Sequence, residues 1–201
     1  MTNSGGVKCW GRNFYGQLGD GTSTDRSVPT NVSGLTSGVS AVSAGLGSQT
    51  CIVTTGGAVK CWGFNFQGIL GDGTVTNRNT PTNVSGLTSN FAAVSAGGQH
   101  TCAKSIDGGL VCWGSNFAGN LGDNTVIERR TPVSVSGLVA GVVTISADGS
   151  HTCASTNGLV TKCWGYNFYG QLGDGTTTDR SMTTNILDNL GNQVPGRRGR
   201  S

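Results

Sequence analysis

Charge is scarce in this 201-residue chain: Asp, Glu, Lys and Arg make up 11%, against roughly 25% in an average protein. So low a charge excludes a disordered polyelectrolyte. Proline occurs four times, too rarely for a proline-rich linker. No stretch approaches the roughly 18 apolar residues of a membrane-spanning helix, so no membrane association is expected. Residues 1–6 carry no apolar run, and no signal peptide is expected in this chain. Positive charge is concentrated: of 13 Lys and Arg, Arg197, Arg198 and Arg200 fall in the last five residues. The remaining Lys and Arg balance the 10 Asp and Glu. The body is therefore neutral, and nucleic acid is not an expected partner for it.

Glycine is abundant instead, at 35 residues without a three-residue period, which excludes collagen. The abundance belongs to an internal repeat. Cys-Trp-Gly recurs at Cys9, Cys61, Cys112 and Cys163. Each copy is followed by Asn13, Asn65, Asn116 or Asn167, then by Phe14, Phe66, Phe117 or Phe168. A Gly-Asp-Gly-Thr or Gly-Asp-Asn-Thr loop comes next, and then Arg26, Arg78, Arg129 or Arg180. Four short Val-, Ile- and Thr-rich runs fill a period of about 51 residues, bounded by Gly and Ser as strands are. Strand A is expected at 39–44, 91–96 and 142–147, and strand B at 49–54, 99–104 and 150–155. Strand C is expected at 58–62, 110–113 and 160–164. Strand D is expected near 29–32, 80–84, 131–135 and 183–187. No segment keeps a helical period, so almost no helix is expected.

Four antiparallel strands per period imply a β-propeller blade. Ser43-Ala44, Ser95-Ala96 and Ser146-Ala147 suit a crowded innermost strand A. Pro29, Pro81 and Pro132 suit an outermost strand D, where a missing N–H breaks no ladder. The expected fold is all-β, a partial propeller. It comprises a half blade at 1–34 (strands C and D), blades at 35–85, 86–136 and 137–187, and a disordered basic tail at 188–201.

The run Gly-Gly-Gln-His-Thr-Cys-Ala from Gly97 resembles repeats of the regulator of chromosome condensation family. So do Cys-Trp-Gly-Tyr-Asn-Phe-Tyr-Gly-Gln-Leu-Gly-Asp-Gly-Thr from Cys163 and the Arg-x-x-Pro-x-x-Val runs at Arg26 and Arg78. The resemblance covers about residues 5–187 and implies a seven-bladed ring, which three and a half blades do not complete. Self-association, or further repeats, is therefore expected. By analogy with the family's namesake it also implies a guanine-nucleotide exchange or chromatin-binding alternative.

Six of the seven cysteines fall in pairs ten residues apart, Cys51/Cys61, Cys102/Cys112 and Cys153/Cys163. Each pair straddles a B–C hairpin, where opposed positions come close enough to bridge. Three disulfides are expected, with buried thiols as the alternative. Cys9 is the odd one, its partner position lying before Met1. Bridges imply an oxidising compartment, hence an extracytoplasmic or secreted location.

His100 and His151 each precede a cysteine by two, but no converging third and fourth ligand is visible, and no metal or cofactor is expected. Asp20, Asp72, Asp123 and Asp174 read as turn residues rather than calcium ligands. The recurrent arginines are expected to pair with a nearby carboxylate or carbonyl. A non-enzymatic scaffold that binds a protein or peptide is the expected function, with an enzyme site in the loops as a further alternative. Strand alternation places the A–B and C–D loops on one face. Within the C–D loops, Gly, Asn, Phe and Gly recur and are read as framework. Arg12, Tyr15, Phe64, Gln67, Ser115, Tyr166 and Tyr169 occupy varying places and are the candidate binding residues, with packing against the adjacent blade as the alternative.

Overall fold

The computed structural model describes residues 1–187 and 191–193. The arginines of the basic tail lie outside the described residues. Among the described residues, fourteen strands form four antiparallel sheets. A two-stranded sheet of β1 (Lys8–Gly11) and β2 (Arg26–Asn31) comes first. The first full blade is β3 (Val39–Ala44), β4 (Gln49–Thr54), β5 (Val59–Gly63) and β6 (Arg78–Asn83). The second is β7 (Phe91–Ala96), β8 (His100–Ser105), β9 (Leu110–Gly114) and β10 (Arg129–Ser134). The third is β11 (Val142–Ala147), β12 (His151–Thr156), β13 (Thr161–Gly165) and β14 (Arg180–Asn185). Among the described residues the helical content is one 3-10 turn, Phe66–Gly68. The architecture is the partial propeller that the repeat implies.

The inner strands follow from their small residues. The Ser43 hydroxyl accepts the Ala96 N–H at 3.0 Å, and the Ser95 hydroxyl accepts the Ala147 N–H at 2.9 Å. A larger residue at either serine would hold β3, β7 and β11 apart. Pro29, Pro81 and Pro132 sit in the edge strands β2, β6 and β10. These outer strands begin earlier than their Val-rich stretches suggest, at the arginines. In each, the register shifts opposite the Trp-Gly step. The strand bends there, so the arginine pairs with the glycine after the tryptophan. Val32, Val84 and Val135 then fall past the strand ends but are buried.

The core lies between blades. Trp62, Trp113 and Trp164 are fully buried, each against the loop of the blade before it. Within each full blade, Cys51/Cys61, Cys102/Cys112 and Cys153/Cys163 stand directly opposite and are bonded, with Cα atoms 4.1 Å apart. Cys9 is free.

Candidate functional site

Each C–D loop is built around a buried asparagine. Asn13 donates through Nδ2 to Asp20 Oδ1 and to the carbonyls of Thr22 and Thr24, and its Oδ1 accepts the Leu18 N–H at 2.9 Å. Asn65, Asn116 and Asn167 repeat the arrangement. A buried amide so fully bonded fixes the loop, because leaving any of these groups unpaired is costly.

The aspartates complete the brace. Asp20 Oδ1 accepts from the Thr22 hydroxyl and N–H, while Oδ2 takes the Arg26 guanidinium at 2.7 Å. Burial pushes this carboxyl up, but the hydrogen bonds from Thr22 and Arg26 outweigh it and hold the pKa at about 2. The same opposition leaves Asp72, Asp123 and Asp174 below the ordinary carboxylate range. Arg78, Arg129 and Arg180 pair with them at 2.8, 2.9 and 2.7 Å. These charges are internal loop ties, as the sequence implies.

On this frame the phenylalanine after each asparagine is carried outward. The Gly16 N–H closes on the Asn13 carbonyl, and Gly68, Gly119 and Gly170 close on Asn65, Asn116 and Asn167 in the same way. Two residues are thereby bracketed at the tip of a tight turn. Phe14, Phe66, Phe117 and Phe168 are 65%, 63%, 55% and 63% exposed. Recurrence alone reads these phenylalanines as framework; the structure exposes them instead. The asparagine is framework; the phenylalanine is presented by it. The usable signal was its position between a buried Asn and a turn-closing Gly.

The varying positions join them unevenly. Tyr15 bridges two loops, 4.9 Å from Phe14 and 4.6 Å from Phe64, which stacks on Phe66. Arg12 lies over the Phe14 ring at 5.9 Å. A second group forms around Tyr166, which touches Phe117, Phe168 and Tyr169. Tyr169 is 80% exposed. Tyr15, Phe64, Gln67 and Tyr166 are half-buried. Ser115 and Ala118 are buried between the two groups, so Ser115 presents no surface. The result is two aromatic ridges separated by a break.

The A–B loops lie beside them: Phe64, Ser115 and Tyr166 donate their N–H groups to the carbonyls of Ser48, Gln99 and Ser150. At the first ridge a cleft of about 330 Å³ opens, lined by Cys9, Trp10, Arg12, Gln17, Ser48 and Gln49 among others. Burial pushes the Cys9 thiol above its ordinary pKa, so it is a poor nucleophile near neutral pH. Six cysteines are bonded, which leaves them no thiolate. His100 is fully buried, its Nε2 2.6 Å from the Thr152 hydroxyl and its Nδ1 without a partner. Burial, with His151 nearby, lowers its pKa to about 4.

Known proteins share this repeat. Residues 4–53, 57–103 and 107–155 match the model for the regulator of chromosome condensation (RCC1) repeat. The ultraviolet-B receptor UVR8 of Arabidopsis thaliana is 35% identical over 186 residues, which is 90% of this chain and 42% of that protein. The human E3 ubiquitin-protein ligase HERC2 is 33% identical over 83% of this chain but only 4% of its own length. The chain thus spans less than half the length of either relative. Among solved structures, human WBSCR16 superposes with a TM-score of 0.81 at 24% identity, over 94% of this chain and 50% of that one. Yeast RCC1 gives 0.78 at 22% identity, over 92% and 45%. At these identities the structural likeness establishes the fold.

Proposed function

The chain belongs to the regulator of chromosome condensation (RCC1) repeat family, and from that premise we propose that it is a non-enzymatic scaffold whose C–D loop face binds a protein or peptide. One observation carries the reading. Four phenylalanines stand more than half exposed on loops braced by buried amides, at positions where burial would have been the ordinary fate. Exposed aromatics on a rigid frame bind at low entropic cost and are the residue type enriched at interface hot spots. A receptor and a ubiquitin ligase bear the same repeat, which fits a platform whose role is set by what its loops present. The bridged cysteines favour work in an oxidising compartment.

Selection of a displayed random-peptide library on the immobilised protein tests the reading. Recovered peptides should lose at least tenfold in affinity for Phe14→Ala, Phe66→Ala or Phe168→Ala protein, with the melting temperature nearly unchanged. Peptides that bind all three variants as tightly as the parent would contradict it.

A further inference from the structure

Three of the contacts repeated at each junction between consecutive blades decide what can follow a blade. First, the tryptophan of the later blade donates to a loop carbonyl of the earlier one: Trp62 to Gln17, Trp113 to Ile69, and Trp164 to Asn120, at 2.9–3.0 Å. Its indole lies over a glycine. At Gly19, Gly71 and Gly122 a Cβ would fall 2.5, 2.6 and 2.7 Å from the ring nitrogen. Second, the N–H of Gly21, Gly73 or Asn124 donates to the outer strand of the later blade, at the carbonyls of Asn79, Arg130 and Ser181. Third, a hairpin glycine of the earlier blade, Gly5, Gly57 or Gly108, accepts the N–H that opens the later blade's inner strand, at Val39, Phe91 and Val142.

The first two contacts use only the two outer strands of the later blade; the third requires its inner strand. Among the described residues, both halves of the first contact are without a partner. Trp10 is 59% exposed, and its indole has no bond among the described residues. At the other end, among the described residues, the Gln171 carbonyl and the Gly175 N–H have no such partner, and a Cβ at Gly173 would meet Ile186 alone, at 3.6 Å or more.

The third position differs. Where the earlier hairpins have glycine, the last has Leu159, held at φ 60. At Gly57 a Cβ would lie 2.6 Å from the Asn90 nitrogen, and at Gly108 2.6 Å from the Gly141 nitrogen. By equivalence with Gly57 and Gly108, a leucine Cβ here would crowd the start of a following inner strand placed as in the earlier junctions. At Gly5 the same Cβ would lie 3.3 Å from the Gly38 nitrogen, so every junction is tight here and two of the three leave no room. The last blade is thus poorly shaped for a following inner strand, whereas the first two contacts ask only for two outer strands. The sheet β1–β2 is a half blade of two such strands, and it carries Trp10.

We propose that the last blade is a socket for the β1–β2 sheet of a second copy of this chain. Trp10 seats over Gly173 and donates to the Gln171 carbonyl, and the Gly175 N–H donates to the Ser27 carbonyl. The interface joins unlike surfaces, so association runs head to tail. Of the three contacts two form, and a half blade also lacks the threonine that donates to the same loop carbonyl within the chain (Thr50, Thr101 and Thr152 to Gln17, Ile69 and Asn120), so the association is weaker than between blades of one chain and depends on concentration.

Sedimentation of the full chain over a concentration series tests this. The weight-average mass should rise with concentration. Trp10→Ala removes the plug and Gly173→Asn fills the socket with a residue that tolerates a left-handed backbone. Each variant alone should stay monomeric at the parent's melting temperature. An equimolar mixture should regain a species of two chains and no larger, because one variant keeps the socket and the other the plug. A parent that is monomeric throughout, a single variant that still associates, or a mixture that stays monomeric would each overturn the proposal.

Discussion

Adjacent residues in one loop do opposite work. Asn65 is buried with its amide fully engaged, and Phe66 beside it is exposed. Asn65→Ala strands several buried groups and should cost about 2–4 kcal/mol in urea unfolding, whereas Phe66→Ala should cost less than about 1 kcal/mol. A second residue sets the acid response. His100 has a folded pKa of about 4 against 6.5 for the free side chain. The unfolded chain therefore takes up the proton first as pH falls. Stability from this group is complete above 6.5, declines between 6.5 and 4, and is flat below. The total loss is on the order of 3 kcal/mol by linkage. Thermal melting of His100→Gln, which places there the residue found at Gln49, should show a shallower slope across that window. The braced aspartates act lower: Asp20, with its pKa near 2, gives stability that is present above the ordinary carboxylate range and lost as pH approaches 2.

At the scale of the element, the blade is a four-stranded sheet pinned at its middle by a disulfide. Alkylation of the unfolded, unreduced protein should label Cys9 alone, and reduction should add six labels. Labelling of all seven in material made under oxidising conditions would remove the bridges from the account. Each bridge closes a short hairpin and should contribute about 2–3 kcal/mol by loop entropy. Seats between blades are equally exacting. Gly71→Ala would put a methyl 2.6 Å from the Trp113 nitrogen on a backbone at φ 74, and should lower the melting temperature far more than Gly173→Ala. Strand order and cysteine pairing were legible in the sequence because residues recurring at fixed spacing reflect contacts made once per blade. The start of the outer strands was not. It is set by the register shift opposite each Trp-Gly step, which Val-rich composition does not reveal. The exposed phenylalanines were missed for a related reason: recurrence marks whatever the loop geometry repeats, including what it holds out to solvent.

At the scale of the molecule, three and a half blades present one continuous face of C–D and A–B loops and an opposite face of B–C hairpins. Which face carries the aromatics was legible from strand alternation. That they form two ridges was not, because it depends on the depth of Ser115 and Ala118, two small residues between larger neighbours. The asymmetry of the ends was also hidden, since Leu159 stands out only once the space beside Gly57 and Gly108 is known. The central claim is that the C–D loop face is the docking surface. Hydroxyl-radical footprinting of the protein, alone and saturated with a library-selected peptide, measures this directly. The account predicts protection of Phe14, Tyr15, Phe64 and Phe66, or of Phe117, Tyr166, Phe168 and Tyr169, with Ile106 on the opposite hairpin face unchanged. Protection of Ile106 with both ridges still reactive would contradict it.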